Sequence, residues 1–542
     1  MEPKAFKYLT HSAVALVFTL LLTNTYSQHY QYFFEQFQYN QLEGHLNNLD
    51  VNFHTSVKGY RESELKEHIN LDSITNIPNY NTKFARTFIG RRLFKEDLLY
   101  VKTRHFEASL NPIFNFQFGR NFGAGENAYV NTRGFSARGN IGKMFSFYTD
   151  FYENQAGFVD YIRAYVDSNH VVPSQGRTKQ FKESSYDFAY ATGYVNFTPT
   201  KYVSFEMGHG KHHIGDGYRS LFLSDNSPNY FYGKISTQVW KIKYVNIWAE
   251  FQDNSPSFNA DNINNKKLGT FHYLDFNACK YFSIGFFESI IWNSQDTNGT
   301  MRGFDPNYLN PIIFYRPIEY GLGSQDNAFM GFNFKLRPHD DHQIYAQVIL
   351  DEFLLSAVLG KPAPGWRANK QGFQIGYKCF NIAGIKNFNF QGEFNYVRPY
   401  TYSHYKFNSN FTHYSQPLAH PLGANFWEAI GILRYQNKRI MAEARFSYAI
   451  HGVDTAGVNY GGNPNVLDIN HPNEYGNYVG QGVRTSIVYA EAKASYIINP
   501  AYGFRIEAGM VYRNQSSEIQ NFNTTFFYIG IRTRLQNLYY DY

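Results

Sequence analysis

Eighteen residues from Gly208 to Asp225, GHGKHHIGDGYRSLFLSD, bring together three histidines, two cations, two aspartates and four glycines. A zinc site built on His209, His212, His213 and Asp216 needs its donors to converge tetrahedrally at about 2.0–2.2 Å. His212 and His213 are neighbours, so in an extended chain they point to opposite sides. The helix that would align His209 with His213 is disfavoured by Gly208, Gly210, Gly215 and Gly217. A phosphate-binding loop needs the Walker spacing of glycines and lysine, which is missing. Ser220 lacks a visible base and orienting partner for nucleophilic catalysis. The stretch therefore predicts no metal, cofactor or catalytic group, which leaves a polar loop or a surface for an extended polar ligand.

The elements that must carry this loop follow from the rest of the chain. Aromatics make up 19% of its 542 residues and charged residues 17%. Abundant Tyr and Phe beside many Asn and Gln suit strands with one greasy and one polar face. From Phe106 onward apolar side chains recur with period two. In FRIEAGMVY, Phe504, Ile506, Ala508 and Met510 oppose Arg505 and Glu507. In RIMAEARFSY, Ile440, Ala442 and Ala444 oppose Arg439, Glu443 and Arg445. Such segments recur roughly sixteen to eighteen times, with linkers alternately short and long. That pattern predicts an all-β fold, a transmembrane outer-membrane barrel of roughly 16–18 antiparallel strands, because spanning strands must close so that every backbone group is paired. The apolar faces are expected toward lipid and the charged faces toward the lumen. Cys379 shares a face with Phe373, Ile375 and Tyr377 and is expected at the lipid. Cys279 shares parity with Asp275 and Asn277 and is expected in the lumen, too far from Cys379 for a disulfide. The final strand, TTFFYIGIRTRL, is expected to end at the membrane interface, with Tyr539, Tyr540 and Tyr542 in an aromatic belt.

Ahead of the barrel, Lys4, Lys7 and the apolar run from Ala13 to Thr23 read as an export signal over residues 1–27, cleaved before Gln28. Residues 28–104 read as a partly helical periplasmic or plug segment, and 105–542 as the barrel. A net charge of +6 without a concentrated basic run gives no reason to expect nucleic acid.

The stretch Gly208–Tyr244 resembles the signature of the capsule-assembly Wzi family of outer-membrane barrels, and it is most similar to the gliding-motility RemB branch. FHTSVKGY (Phe53–Tyr60), YLNPIIFYRPIEYGLGSQDNAFMGFNFKL (Tyr308–Leu336) and QPLAHPLGANFWE (Gln416–Glu428) resemble the same branch. The resemblance implies a barrel of about eighteen strands with an N-terminal helical region at its periplasmic end. It also implies a non-enzymatic role in surface polysaccharide association or in gliding motility. The partners it implies are outer-membrane lipid, surface polysaccharide, and motility or secretion machinery. The alternative is a passive, porin-like channel, which an open lumen would favour and a plugged one would not.

A glycan reader needs aromatic faces, planar hydrogen-bonding groups and, for acidic sugars, cations. The candidate contacts are Lys211, His212, Asp216, Tyr218 and Arg219 in the first motif. Tyr315, Arg316, Asp326 and Asn327 belong to the second, and His420 and Asn425 to the third. Arg219 is the expected anchor, with Asp216 or Asp326 as its partner, so Arg219→Ala is expected to weaken glycan retention and leave the barrel intact. For any single tyrosine here, loop packing is the plainer role.

Overall fold

In the segment Phe388–Val397, Asn389, Gln391, Glu393 and Asn395 are buried, whereas the phenylalanines between them are part-exposed. This inversion suits a wall with lipid outside and a packed polar interior. The computed structural model describes residues 31 and 34–542, apart from 72–73, 75–76, 79, 81, 254–263, 296–299, 312–313, 324–325, 353–354, 360, 362, 407 and 456. The export signal expected over residues 1–27 lies outside the described residues.

Eighteen strands build the wall. The first six are β1 Phe106–Asn121, β2 Glu126–Ile141, β3 Phe145–Gly157, β4 Ser185–Phe197, β5 Val203–Gly210 and β6 Tyr230–Val239. Next come β7 Ile242–Asp253, β8 Asn265–Phe276, β9 Phe282–Asn293, β10 Asn327–His339, β11 His342–Leu350 and β12 Gln371–Cys379. The last six are β13 Phe388–Val397, β14 Phe426–Asn437, β15 Ile440–Val453, β16 Val483–Asn499, β17 Phe504–Ser516 and β18 Phe522–Arg532. Each runs antiparallel to the next, and β18 closes on β1 from Asn115↔Arg532 to Asn121↔Phe526. The shortest wall strand is β5, with 8 residues, joined to β4 only from Phe197↔Phe205 to Gly193↔His209.

One rim is made of tight turns such as 240–241, 340–341 and 438–439, and the other carries long segments such as 211–229, 398–425 and 454–482. In outer-membrane barrels the tight rim is the periplasmic one. Ile440, Ile506 and Met510 project outward, while Glu443, Arg445, Arg505 and Glu507 line the interior, as their parity predicts. Arg439 departs from this: it lies in the turn 438–439 and donates to the carbonyls of Pro78, Ile497 and Ile498.

The periplasmic end is filled by the N-terminal segment. Helix α1 (Gln36–Leu46) buries Tyr39, Leu42, Glu43 and Leu46, which helical spacing places on one face. They pack with Phe53, Tyr60 and with Leu65 of helix α2 (Glu62–His68). The buried Glu43 carboxylate is held between Lys58 and Lys378 of β12. The side-chain amide of Asn47 donates to the carbonyl of Asp340 in the β10–β11 turn at 2.6 Å.

Two expectations fail. The wall ends at Arg532, and residues 533–542 turn back into the lumen, where Tyr539 is 3% exposed. The tyrosines form no interfacial belt because their hydroxyls find polar partners inside: Tyr539 donates to Asp225 at 2.7 Å and the Tyr540 hydroxyl accepts from Gln175 at 3.2 Å. Cys279 lies beyond the end of β8 in the exposed turn 277–281, where strand parity no longer applies. Both cysteines are free thiols.

Candidate functional site

Residues 211–229, between β5 and β6, fold inward because Leu221, Phe222 and Leu223 are apolar and join the main internal core. Phe222 stacks on Phe287 of β9 with ring centroids 4.6 Å apart. Gly331 of β10 leaves room for that ring, since a Cβ there would fall 2.3 Å from it. A loop taken into the lumen must still pair its backbone, and the wall supplies the partners. Glu393 accepts the amides of Tyr218 (2.7 Å) and Arg219 (3.1 Å), and Gln347 accepts that of Leu221 (2.9 Å). Gln374 donates to the carbonyl of Arg219 at 3.1 Å.

Arg219 is buried, not presented to a ligand. Its guanidinium pairs with Glu428 of β14 at 3.0 Å and with Asp541 of the tail at 3.1 Å, and it lies over the rings of Tyr218 and Tyr539. Asp541 also pairs with Arg445 at 2.8 Å. The partners expected from sequence are engaged elsewhere. Asp216 accepts from Thr55 (2.5 Å) and Ser56 (2.7 Å) of the N-terminal segment. Burial opposes the ionised form of Asp216, but Lys335, Lys58 and Lys378 outweigh it and hold this carboxyl below its usual range. Asp326 takes both guanidinium arms of Arg302 at 2.7 Å and the hydroxyl of Tyr308.

The remaining candidates are distributed through the same interior. His212 contacts the hydroxyl of Tyr230 at 3.1 Å, and Lys211 donates to the carbonyl of Ser174 at 3.2 Å. Burial pushes the Lys211 ammonium down to about 8, against the pull of Asp225 and Asp150. Tyr315 is buried edge-on to His272, and Asn327 donates to the carbonyl of Ser409. His420 donates to Glu428 at 2.7 Å through Nε2, because its Nδ1 accepts the Leu422 amide. Asn425 ties together the carbonyls of Gly452 and Gln481 and the amide of Gly480. Arg316 alone of the set is exposed, paired with Glu319 at 3.6 Å. Arg219 and His420 thus meet on Glu428, while Tyr315 and Asp326 belong to a separate cluster around Trp292 and Tyr308.

These segments leave a luminal cavity of about 240 Å³ beside the tail, lined by Glu443, Arg445, Glu491, Lys493, Arg505 and Glu507. It is below the roughly 300–1,000 Å³ of small-molecule pockets.

Above the plug, the long segments 351–370, 398–425 and 454–482 knit into a cap. The backbone of 364–367 pairs with that of 474–477 through Arg367 N to Glu474 O (2.9 Å) and Gly476 N to Pro364 O (2.9 Å). The carboxylate of Glu474 takes the Trp366 indole N–H at 2.7 Å and contacts Arg367 (3.3 Å) and His471 (3.1 Å). Tyr475 and Tyr478, which follow Glu474 in the chain, are exposed. None of these residues was singled out from sequence. The available signal was Trp366-Arg367, one of only five tryptophans, in the Pro/Gly-rich stretch KPAPGWR.

An inverted, occluded cylinder of this kind can be set beside solved structures. Wzi of Escherichia coli, a carbohydrate-binding β-barrel and outer-membrane protein involved in group 1 capsule assembly, matches with a TM-score of 0.54 at 13% identity. The match covers 94% of this chain and 100% of that one. The fold is that of an outer-membrane β-barrel. Pseudomonas aeruginosa OprD matches with a TM-score of 0.41 at 10% identity, over 79% of this chain and 96% of its own. Acinetobacter baumannii OccAB2 gives 0.43 at 8% identity, over 79% and 97%. No protein-family model and no curated protein sequence matches the chain.

Two buried histidines in the cap of this outer-membrane barrel predict that acid weakens it. In His413, Nδ1 accepts the amide of Gln252 and Nε2 donates to the carbonyl of Asn229, both at 3.0 Å, so the geometry requires a neutral ring. Burial pushes this imidazole down to about 3, and that of His404 down to about 4. A histidine depressed in the folded state stabilises fully above its unfolded value of about 6.5 and loses that contribution as pH falls below it. At pH 5 each ring should cost the cap on the order of 2 kcal/mol. Protease cleavage within 398–425 should therefore rise between pH 7 and pH 5. His413→Gln, which cannot titrate, should rise less; an equal rise in parent and variant excludes this ring as a cause.

Proposed function

We propose that this chain is a non-enzymatic outer-membrane barrel that holds surface polysaccharide on its capped external face and does not conduct solute. The observation that carries the reading is the occlusion of the lumen by the N-terminal segment, residues 211–229 and residues 533–542, beneath a knitted cap. The cap offers what a sugar polymer needs: aromatic faces at Trp366, Tyr475 and Tyr478, and cationic and carboxylate groups at Arg367 and Glu474. The fold-level likeness to Wzi, a carbohydrate-binding barrel, supports the same reading. The likeness to the RemB branch adds gliding motility as the process such a surface would serve, with motility or secretion machinery as partners.

Two measurements test it. Reconstituted protein should show no steady single-channel conductance; a constant open channel favours the porin-like alternative. Trp366→Ala with Tyr478→Ala should lower polysaccharide retention about fivefold per lost stacking face, at about 1 kcal/mol each, with the heat-modifiable folded form unchanged. Retention equal to the parent's overturns the cap assignment. Scoring surface glycan and colony spreading in a deletion strain separates capsule from motility.

A further inference from the structure

Immediately before β1, residues 83–106 carry apolar side chains that the barrel does not cover. In helix α3 (Phe88–Phe94), Phe88 and Ile89 are 65% and 67% exposed; in the following strand Leu99–Lys102, Leu99 and Val101 are 58% and 53% exposed. Between Lys83 and Arg104 seven cations stand against Glu96 and Asp97.

The segment is fixed across the periplasmic rim of the wall: Asn111, on the lumen-facing side of β1, accepts the Leu98 amide at 2.9 Å and donates to Asp97 at 2.7 Å. The side-chain amide of Asn499 donates to the carbonyls of Arg92 (2.9 Å) and Glu96 (3.0 Å), pinning α3 to the periplasmic end of β16. Just ahead of it, the hydroxyl of Tyr80 meets that of Tyr496 at 3.2 Å. Tyr496 lies opposite Ile440 and Ile506 on the outward, lipid-facing side. The strand Leu99–Lys102 pairs with β1 from Leu99↔Leu110 to Lys102↔Glu107, and its exposed side chains lead onto Phe106, Ile141 and Phe145 of the barrel's apolar belt. Gly90 lets α3 close on the preceding turn, since a Cβ there would fall 1.9 Å from the Phe84 carbonyl oxygen. That packing leaves Phe88, Ile89 and Leu93 facing away.

We infer that residues 83–106 form an interfacial anchor seated in the periplasmic leaflet, with Phe88, Ile89 and Leu93 in the acyl region and the cations at anionic phospholipid headgroups. Two features of the molecule select this occupant: the apolar surface is continuous with the lipid-facing belt, and its surplus of cations complements phosphate. The anchor does not depend on what the external cap binds.

The test uses the full chain with Cys279→Ser and Cys379→Ser, and one new cysteine at Ile89, Leu93 or, as an external control, Ile469. Each carries an environment-sensitive fluorophore and is reconstituted in vesicles of phosphatidylcholine with or without phosphatidylglycerol. Labels at both Ile89 and Leu93 should be quenched by lipid-borne nitroxide and shielded from aqueous iodide, the reverse of Ile469. Arg91→Glu with Lys95→Glu should reduce lipid quenching about threefold in phosphatidylglycerol vesicles and little without it. Iodide access equal to that at Ile469 overturns the anchor. So does shielding from iodide without lipid quenching, which would mean that protein covers the segment.

Discussion

Replacing Arg219 with alanine should destabilise the folded barrel by about 3–5 kcal/mol, the usual consequence of removing one partner from a buried ion pair. The change strands Glu428 and Asp541, each with a side chain 1% exposed. Arg445 still reaches Asp541, but on the other oxygen, and Glu428 keeps only the neutral donors of His420 and Asn395, both on one oxygen. Arg219→Met combined with Glu428→Gln should cost less than the sum of the single changes, because position 428 then carries no unpaired carboxylate and Asp541 keeps Arg445 as its partner. The measurement is the urea or heat midpoint of the compact form in detergent. An unchanged midpoint for Arg219→Ala would return this residue to the ligand-anchor role read from sequence.

Arginine at Ala508 should cost about 2–4 kcal/mol if the site is near the bilayer midplane. Ala508 is exposed on the outer face of β17, opposite Ala494 on β16 and Ile529 on β18, while Glu507 beside it is buried inside. A guanidinium there has hydrocarbon around it and no carboxylate on its own side of the wall. Arginine at the neighbouring Gly509 should act differently, through crowding against the Tyr528 ring, 2.6 Å from a Cβ there. The folding midpoint in lipid, compared with that in detergent, separates the two causes: the Ala508→Arg loss should be larger in lipid.

The wall was legible in the sequence because a bilayer outside and a polar interior impose opposite demands on successive residues. FNFQGEFNYV states that conflict in ten letters. The candidate site was not legible in the same way. Local composition identified Gly208–Asp225 as unusual, but the meaning of Arg219 rests on Glu428 and Asp541, 209 and 322 positions away. Nothing in a polar, glycine-rich loop tells whether it faces water or turns inward; the apolar triplet Leu221-Phe222-Leu223 was the local hint. Parity failed at Cys279 and at the tail for a related reason. Alternation carries information only while the strand lasts, and β8 stops at Phe276 and β18 at Arg532.

The shortness of β5 bears on how the molecule moves. Local opening begins where the fewest cross-strand hydrogen bonds must break together, and the β4–β5 join has only five register pairs. Backbone fluctuation should therefore concentrate at that join, while the long β15, β16 and β17 ladders remain shut. Residues 211–229 are suspended directly from the end of β5, yet their far side is clamped to β14 and the tail through Arg219. Each transient loosening of β5 accordingly pulls on an internal strut, which transmits motion from one side of the cylinder to the other without opening a path through it.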